Sequence, residues 1–469
     1  MTPSDDSPAT LSRRELLTRA GAAGVAVTFA GTVGALVSAD MAVGAAGVVP
    51  RAGYGPLVPD PAGLLDLPRG FRYRVVSREG EPLKSGGGAV PSRFDGMGYF
   101  RGRGGRGVLV RNHENSPTAR NPVPAPPEYK YDPGGFGGTT TLVLDAGNGL
   151  IEERVSLGGT AVNCAGGITP WQTWLSCEEN ESRAGTNGYE KDHGFIFEVD
   201  PFHNTANATP TPLTAMGRFQ HEAICVDPRT GIVYETEDAF AFPFGCFYRF
   251  RPNRPLGGYG SLRAGGLLQA MRVPGVADLS AVQEPGTEFG GIEWVTVPDP
   301  LATSEPTREQ DYGPAGITHA QKLEGCYWGN GAAYFVSSYS RADEGSTVDH
   351  DGQVWRYDPV RNRLRLEVVF TRDSATPDDK LYQAPDNICL SPYGGLMICE
   401  DGDGEQHLLG VTADGDPFVF ARNRQNVGTA DDPSYGEFAG VVFDDRGRTL
   451  YVNCYNPGTT FAITGPWHR

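Results

Sequence analysis

One pattern recurs along the sequence and constrains its fold: a strand, a polar turn that contains glycine, and a second strand. It is clearest in residues 224–234, 388–398 and 442–452, which read ICVDPRTGIVY, ICLSPYGGLMI and VFDDRGRTLYV. Two further segments, 195–201 and 354–359, are aromatic strands that end on Asp-Pro. A hairpin repeated with variable insertions is the signature of blades arranged radially around an axis. The pattern therefore predicts a β-propeller.

The composition agrees with this prediction. The chain of 469 residues contains 64 Gly and 37 Pro, which favour short strands and frequent turns over long helices. Six blades would hold roughly 70 residues each, more than the ~40–45 that four strands need, so the surplus is expected in loops. We predict an all-β, six-bladed β-propeller with loop insertions, spanning residues 47–469 as the catalytic domain. Seven blades or a pair of β-sandwiches are the alternatives.

The N-terminus predicts export. Residues 12–17 read SRRELL and are followed by a weakly apolar, Gly/Ala-rich run to residue 37. This layout is typical of a twin-arginine signal, and we assign residues 1–46 to the signal peptide and its cleavage region. A single-span membrane anchor is the alternative, although the weak hydrophobicity favours the signal. We expect export by the twin-arginine machinery to a periplasmic, cell-wall or secreted location, with no membrane span after cleavage.

Charge and cysteine content exclude several classes of function. The formal net charge of −17 argues against binding to nucleic acid or to an anionic membrane surface. The eight cysteines include no CxxC pair, so neither a zinc ribbon nor a thioredoxin-like motif is indicated. We expect a monomer that acts on small molecules.

Acidic residues lie beside many of the predicted strand ends. The most informative case is Cys177, which follows a buried strand and directly precedes Glu178 and Glu179. A propeller gathers its strand ends around one channel, where several carboxylates would repel each other unless cations neutralise them. This predicts a multinuclear metal site with mainly oxygen ligands and one thiolate. The alternative is a buried free cysteine followed by two exposed glutamates.

The motifs resemble those of the PhoX-type alkaline phosphatase family. The resemblance is carried by the twin-arginine signal and by RNHE at 111–114, NCAGGITPW at 163–171, CEEN at 177–180, GRFQHE at 217–222 and CED at 399–401. It implies a propeller channel that holds ferric iron (Fe3+) and calcium, and hydrolysis of phosphate monoesters outside the cytoplasm.

The same resemblance implies a set of ligands. Cys177, Glu222 and Glu324 would bind iron, and Glu178 and Glu400 would bind iron or calcium. The implied calcium ligands are Asn112, Glu114, Asn163 and Asp401. Lys322 stands where family members tend to carry arginine, two positions before the glutamate. As the predicted catalytic residue, it would stabilise charge on the phosphoryl oxygens without the bidentate fork of arginine.

Two other functions remain open on the sequence. A calcium-dependent lactonase also uses an acidic six-bladed channel, but it needs no thiolate ligand. A non-catalytic binding propeller could keep the metal site for stability alone.

Overall fold

Antiparallel pairing arranges the strands into six sheets, each of which forms one blade. The computed structural model describes residues 53–370, 382–402 and 404–468. These residues belong to the compact unit Arg51–Arg469. The predicted signal region 1–46 and the domain boundary at residue 47 lie outside the described residues.

The strands follow the chain from blade to blade. The first three are β1 (Leu57–Val58), β2 (Leu65–Pro68) and β3 (Arg72–Arg78). Blade 1 consists of β4 (Phe94–Arg101), β5 (Gly107–His113), β6 (Gly137–Leu144) and β7 (Leu150–Thr160). Blade 2 consists of β8 (Asn163–Ile168), β9 (Trp174–Glu178) and β10 (Ile196–Val199). Blade 3 consists of β11 (His221–Val226), β12 (Val233–Glu237), β13 (Phe247–Pro252), β14 (Gly266–Arg272) and, beyond β15 (Glu288–Gly290), β16 (Glu293–Thr296).

The remaining blades repeat this order. Blade 4 consists of β17 (Leu323–Gly329), β18 (Ala332–Ser337), β19 (Gly352–Asp358) and β20 (Arg363–Phe370), with β15 at its outer edge. Blade 5 consists of β21 (Pro385–Leu390), β22 (Leu396–Glu400), β23 (His407–Val411) and β24 (Pro417–Asn423), extended by β2 and β1. Blade 6 consists of β25 (Phe438–Phe443), β26 (Thr449–Cys454) and β27 (Thr459–Thr464), with β3 outermost.

Within the described residues the only helices are short 3-10 turns in the connections. They are Arg103–Gly105, Pro127–Tyr129, Asn204–Asn207, Thr214–Met216, Ser261–Ala264, Leu279–Ala281, Thr307–Glu309 and Ala342–Glu344. No helix of this part of the chain is long and apolar enough to cross a membrane.

Strand β3 closes the ring by completing the last blade. It pairs antiparallel with β27, so that Arg72 lies opposite Thr464 and Arg78 opposite Thr459. The six innermost strands β4, β8, β11, β17, β21 and β25 contact one another in a closed circle. Joining the N-terminal strand to the C-terminal blade removes the free edges that an open array of blades would leave.

The core lies between the blades. Each blade is apolar on both faces, and its side chains interdigitate with those of the next blade. Between blades 2 and 3, for example, Leu175 and Ile196 belong to the same buried cluster as Ile224 and Tyr248. Similar clusters fill the other interfaces. Burial of both faces explains why many blade strands are buried along their whole length, as in β5, β12 and β26.

The predicted six-bladed all-β propeller is confirmed. The three repeated hairpins are the two innermost strands of blades 3, 5 and 6. The aromatic strand at 195–201 contains the third strand β10, and the one at 354–359 overlaps the third strand β19. Residues 257–291 are rich in glycine and show no clear strand pattern in the sequence. They contain β14, which pairs with β13 as the fourth strand of blade 3.

Candidate metal centre

All six innermost strands carry the same irregularity near their first residue. The regular pairing of each inner strand is interrupted between Phe94 and Met97, Asn163 and Gly166, His221 and Ile224, Leu323 and Cys326, Pro385 and Ile388, and Ala439 and Val442. The first residue inside each interruption is, in blade order, Asp95, Cys164, Glu222, Glu324, Asp386 and Gly440. A β-bulge changes the direction in which a side chain points. Five of the six blades therefore use it to present an acid or a thiol.

These side chains converge into three groups at the end of the channel where the inner strands begin. In each group, one ligand atom per residue lies within 4.8 Å of the others. The groups are Cys164 with Glu179 and Glu222, Glu222 with Glu324 and Asp386, and Asp95 with Glu114 and Glu437. Because Glu222 belongs to two groups, the first two form one continuous acidic cluster.

The rest of the channel has a different character. On the side where the inner strands end, it widens into a cavity of about 310 Å³ whose lining is largely apolar and includes Met97, Ile168, Ile224 and Trp328. The acids are therefore confined to one end of the channel.

Close approach of the inner strands requires a small residue after two of these acids, Asp95 and Glu324. A Cβ added to Gly96 would lie 2.5 Å from the Cα of Ala165, and one added to Gly325 would lie 2.5 Å from the backbone oxygen of Asp386. Both distances are far below van der Waals contact. A small residue after the acid is thus a steric requirement of the packed ring in these blades.

The thiol nearest the acids is that of Cys164. Its Sγ donates to the backbone oxygens of His221 at 3.1 Å and Glu222 at 3.4 Å. Burial, and then the charge of Glu222, raises the pKa of this thiol well above its usual value. A thiolate at Cys164 would therefore need a bound cation to compensate its charge.

Cys177, the thiolate expected from the sequence, lies elsewhere. It is fully buried in the core between blades 2 and 3, opposite Ile196 on the neighbouring strand, and within the described residues it belongs to none of the three groups. Burial raises the pKa of its thiol well above the usual value. The structure thus brings Cys164, rather than Cys177, beside Glu179 and Glu222.

The carboxylate of Glu178 is used by the surrounding protein. It accepts hydrogen bonds from the backbone amides of Ala161 at 2.9 Å, Gly194 at 2.9 Å and Phe195 at 3.1 Å. Nδ1 of His193 lies 2.7 Å from its Oε1. Glu178 thus ties the end of β9 to the loop before β10 and to the connection between blades 1 and 2.

Glu400 and the two asparagines expected at calcium are also engaged in structural hydrogen bonds. Glu400 accepts from the backbone amide of His407 at 2.9 Å and lies 2.8 Å from its Nδ1. Asn112 donates to the backbone oxygens of Cys164 and Ala165 at 3.1 and 2.6 Å, which fixes the bulge of β8. Asn163 accepts from Thr160 Oγ1 at 2.5 Å and donates to Ser176 Oγ at 2.9 Å.

Lys322 lies directly beside the cluster. Its Nζ contacts the carboxylate of Glu324 and lies 3.5 Å from Oδ2 of Asp401. The side chain is only 8% exposed. The ammonium group of Lys322 therefore lies beside the acidic cluster, next to the carboxylates of Glu324 and Asp401.

The sequence interpretation did not assign five members of the groups as ligands. They are Asp95, Cys164, Glu179, Asp386 and Glu437. A signal for two of them was present: an acid or cysteine followed by glycine or alanine, as in Asp95-Gly96 and Cys164-Ala165. The same signal recurs at the assigned ligand Glu324, before Gly325. Its meaning depends on the ring geometry, because only there does the small residue become necessary.

The residues present fit a cluster of hard and borderline cations. The donors are carboxylate oxygens, which suit calcium, and one sulfur beside carboxylates, which suits a transition metal such as iron. Oε2 of Glu114 is buried and has no hydrogen-bond partner in the part of the chain that the structure describes. Buried carboxylates so close together would repel each other, and shared cations would remove that repulsion.

Comparisons with known proteins identify the family. The family model for alkaline phosphatase PhoX matches residues 52–458. No curated protein is significantly similar to the chain in sequence. Among solved structures, Pseudomonas fluorescens PhoX in complex with vanadate, a transition state analogue, has 18% sequence identity and a TM-score of 0.63, covering 86% of this chain and 96% of that chain.

A gluconolactonase from Xanthomonas campestris has 14% sequence identity and a TM-score of 0.43, covering 88% of this chain and 98% of that chain. The similarity to the Pseudomonas fluorescens structure agrees with the propeller fold. Since the family model extends over most of the chain, the protein belongs to the alkaline phosphatase PhoX family and is a phosphoric monoester hydrolase of that type.

Proposed function

We propose that this phosphatase is an exported enzyme that hydrolyses phosphate monoesters at an iron and calcium cluster held in the acidic end of the propeller channel. One observation carries the proposal: Glu222 is shared by two groups of possible ligands. Its carboxylate lies within 4.8 Å of the ligand atoms of Cys164 and Glu179, and also within 4.8 Å of those of Glu324 and Asp386. A carboxylate shared by two groups is the arrangement expected of a bridging ligand in a multinuclear centre.

We assign the ligands from this geometry. Cys164, Glu179, Glu222, Glu324 and Asp386 would hold the iron-containing part of the cluster. Asp95, Glu114 and Glu437, which offer only oxygen, would hold calcium. When bound, these metals would act as Lewis acids that polarise the phosphoryl oxygens and offset the charge on the leaving oxygen.

Lys322 would bind the phosphoryl group from the side. Its ammonium group lies against Glu324 and near Asp401, so a phosphoryl oxygen could exchange for one of these carboxylate contacts. The low exposure of Lys322 would strengthen the interaction, because its charge is poorly screened by water. An ammonium group also stabilises the equatorial oxygens of the transition state.

Elemental analysis paired with turnover of p-nitrophenyl phosphate tests the proposal. We expect the purified mature protein to contain iron and calcium, and we expect chelation to remove turnover in parallel with the metals. Metal-loaded protein that is inert towards a panel of phosphate esters would instead support the binding propeller.

Two cysteine variants test the assignment of the thiolate. Cys164→Ala should lose most of the bound iron, whereas Cys177→Ala removes an equally buried thiol of the same size and should retain it. The reverse result would return the role to Cys177, as the sequence interpretation had it.

Export is the remaining part of the proposal. It rests on the SRRELL motif at 12–17 and the weakly apolar run that follows it. Replacing Arg13 and Arg14 with lysine should leave the protein in the cytoplasm of a host with a twin-arginine pathway. Exported variant protein would contradict this route. We further propose that the mature enzyme is a monomer, which size-exclusion chromatography with light scattering would check.

A further inference from the structure

Gln321, the residue that precedes Lys322, makes several buried hydrogen bonds through its side chain. Gln321 is fully buried. Its Nε2 donates to the backbone oxygen of Phe240 at 3.1 Å and to the carboxylate of Glu344. Its Oε1 accepts from the backbone amide of Arg341 and from Ser346 Oγ, both at 2.8 Å. Both donor hydrogens and both acceptor positions of the amide are therefore used.

These partners belong to two loops at the acidic end of the channel. Phe240 lies in the connection between β12 and β13 of blade 3, and the other three lie in the connection between β18 and β19 of blade 4. One side chain thus joins two blades immediately before the strand that carries Glu324.

The same loops hold the backbone of Lys322. Its amide donates to the backbone oxygen of Ala239 at 3.3 Å, and its carbonyl accepts from the amide of Ser338 at 2.8 Å. Lys322 has a φ of 50°, in the left-handed region that non-glycine residues avoid. A backbone in this region persists only where its surroundings determine it.

We infer that Gln321 is the positioning residue of Lys322, because it fastens the two loops that hold the left-handed backbone from which the ammonium group reaches the acidic cluster. The inference rests on the proposed phosphatase site and adds a residue that itself touches neither metal nor substrate. Loss of the amide would release both loops and let the ammonium group move away from Glu324. A displacement of about 1 Å at a positioned group is enough to reduce turnover 100-fold.

The chain offers a matched control in Gln353. This glutamine is also fully buried in blade 4, donates to the backbone oxygen of Val282 at 2.6 Å and accepts from Trp355 Nε1 at 2.9 Å. Its partners are remote from Lys322 in the hydrogen-bond network. Methionine at either position keeps the volume and removes the hydrogen bonds. Both variants should therefore lower the melting temperature, and Gln321→Met should lower it more, because it loses four hydrogen bonds and Gln353→Met loses two.

A double-mutant cycle with Lys322→Ala separates positioning from a general structural role. In metal-loaded enzyme, Gln321→Met should lower kcat/KM for p-nitrophenyl phosphate about 10- to 100-fold, and Gln353→Met less than about twofold. In the Lys322→Ala background, Gln321→Met should have less than about a twofold effect, because the group on which it acts is gone. Equal losses in both backgrounds, or equal losses from the two glutamine variants, would overturn the inference.

Amine labelling gives a readout that does not depend on activity. In the metal-loaded wild type and in Gln353→Met, acetic anhydride should modify Lys322 slowly relative to the exposed Lys84, as measured by mass spectrometry. In Gln321→Met the relative rate at Lys322 should rise severalfold. An unchanged rate would overturn the inference even in a protein that hydrolyses phosphate esters. A raised rate in a protein with no phosphatase activity would uphold it while the proposed function fails.

Discussion

Glu178 and Glu179 are consecutive in sequence, but their carboxylates lie in different environments. Glu178 is held by three backbone amides and by His193, whose Nδ1 lies 2.7 Å away. Glu179 offers an oxygen within 4.8 Å of ligand atoms of Cys164 and Glu222. Strand β9 ends at Glu178, and successive side chains of an extended chain point to opposite sides. One acid therefore supports the blade, and its neighbour faces the channel.

Replacing each acid with glutamine should separate these two roles. Glu178→Gln places an amide where three backbone N–H groups need an acceptor and leaves His193 with Asp132, 3.1 Å from its Nε2, as its remaining charged partner. We expect it to lower the free energy of unfolding of the metal-free protein by about 3–5 kcal/mol. Glu179→Gln should change it by less than about 1 kcal/mol but lower the metal content. Urea unfolding and elemental analysis of both variants measure the difference, and similar profiles for the two would contradict it.

The fold was predictable because its signals are local. A hairpin such as 388–398 contains both strands and the turn between them, so alternating strand and turn residues reveal it without knowledge of any distant contact. The number of blades did not follow from these local signals, since the chain length also allowed seven. The edge strand β15, which pairs with β20 far along the chain, had no comparable signal.

The members of the candidate site were less predictable, because strand register and bulges decide which side chains face the channel. Cys164 and Cys177 both lie in buried strands, but only Cys177 has acids beside it in the sequence, and the sequence alone does not show that a bulge turns Cys164 towards Glu222. Glu178 looked like a ligand because the partners that occupy it, at positions 161 and 193–195, are distant in sequence. Asp95 was missed because FDG at 94–96 reads as an ordinary strand and turn.

The cation beside the cluster gives a prediction about phosphate affinity. Lys322→Ala should lower kcat/KM for p-nitrophenyl phosphate by about 10²–10³-fold, because it removes a charge aimed at the transition state. Lys322→Arg should keep activity and tighten inhibition by inorganic phosphate by several-fold, since a guanidinium can donate two parallel hydrogen bonds. Steady-state kinetics with phosphate as inhibitor measure both effects. Lys84→Ala, at an exposed position, is the control and should leave both values unchanged.

A buried histidine predicts part of the acid sensitivity. His350 is 1% exposed, and its Nδ1 accepts a hydrogen bond from the amide of Gly352 at 3.1 Å. Burial, with a smaller contribution from Arg341, lowers its pKa to about 3. In the unfolded chain the histidine titrates near pH 6.5, so between these values only the unfolded state binds the proton. Stability should therefore fall as the pH drops below about 6.5, by roughly 1.4 kcal/mol per pH unit.

The variant His350→Asn isolates this contribution. An asparagine oxygen can still accept from Gly352, but it does not titrate. Between pH 7.5 and pH 5, the metal-free variant should lose about 2 kcal/mol less of its free energy of unfolding than the wild type. Urea unfolding at the two pH values measures the difference, and His203→Asn, at an exposed position, should behave like the wild type. Parallel pH profiles for the wild type and His350→Asn would contradict the assignment.

The last prediction concerns Arg111, which belongs to the RNHE motif but serves the closure of the ring. Its Nη2 lies 2.6 Å from Oε1 of Glu153, both side chains are at most 1% exposed, and its Nη1 donates to Thr460 Oγ1 in the last blade at 2.8 Å. Glu153 also accepts from Ser77 Oγ at 2.9 Å, on the strand that completes that blade. The pair therefore joins blade 1 to the closing blade. Burial lowers the pKa of Arg111 to about 10, which leaves it charged at neutral pH.

Replacing one partner of this pair should lower the free energy of unfolding more than replacing both partners. Arg111→Met or Glu153→Met alone leaves a buried charged group without its partner, and each should lower the free energy of unfolding by about 3–5 kcal/mol. The double variant Arg111→Met with Glu153→Met replaces the pair by apolar side chains of similar size and should recover part of that loss. Urea unfolding of the three variants at pH 7 measures the coupling. Single losses below about 1 kcal/mol, or strictly additive ones, would show that the ring closes without help from the pair.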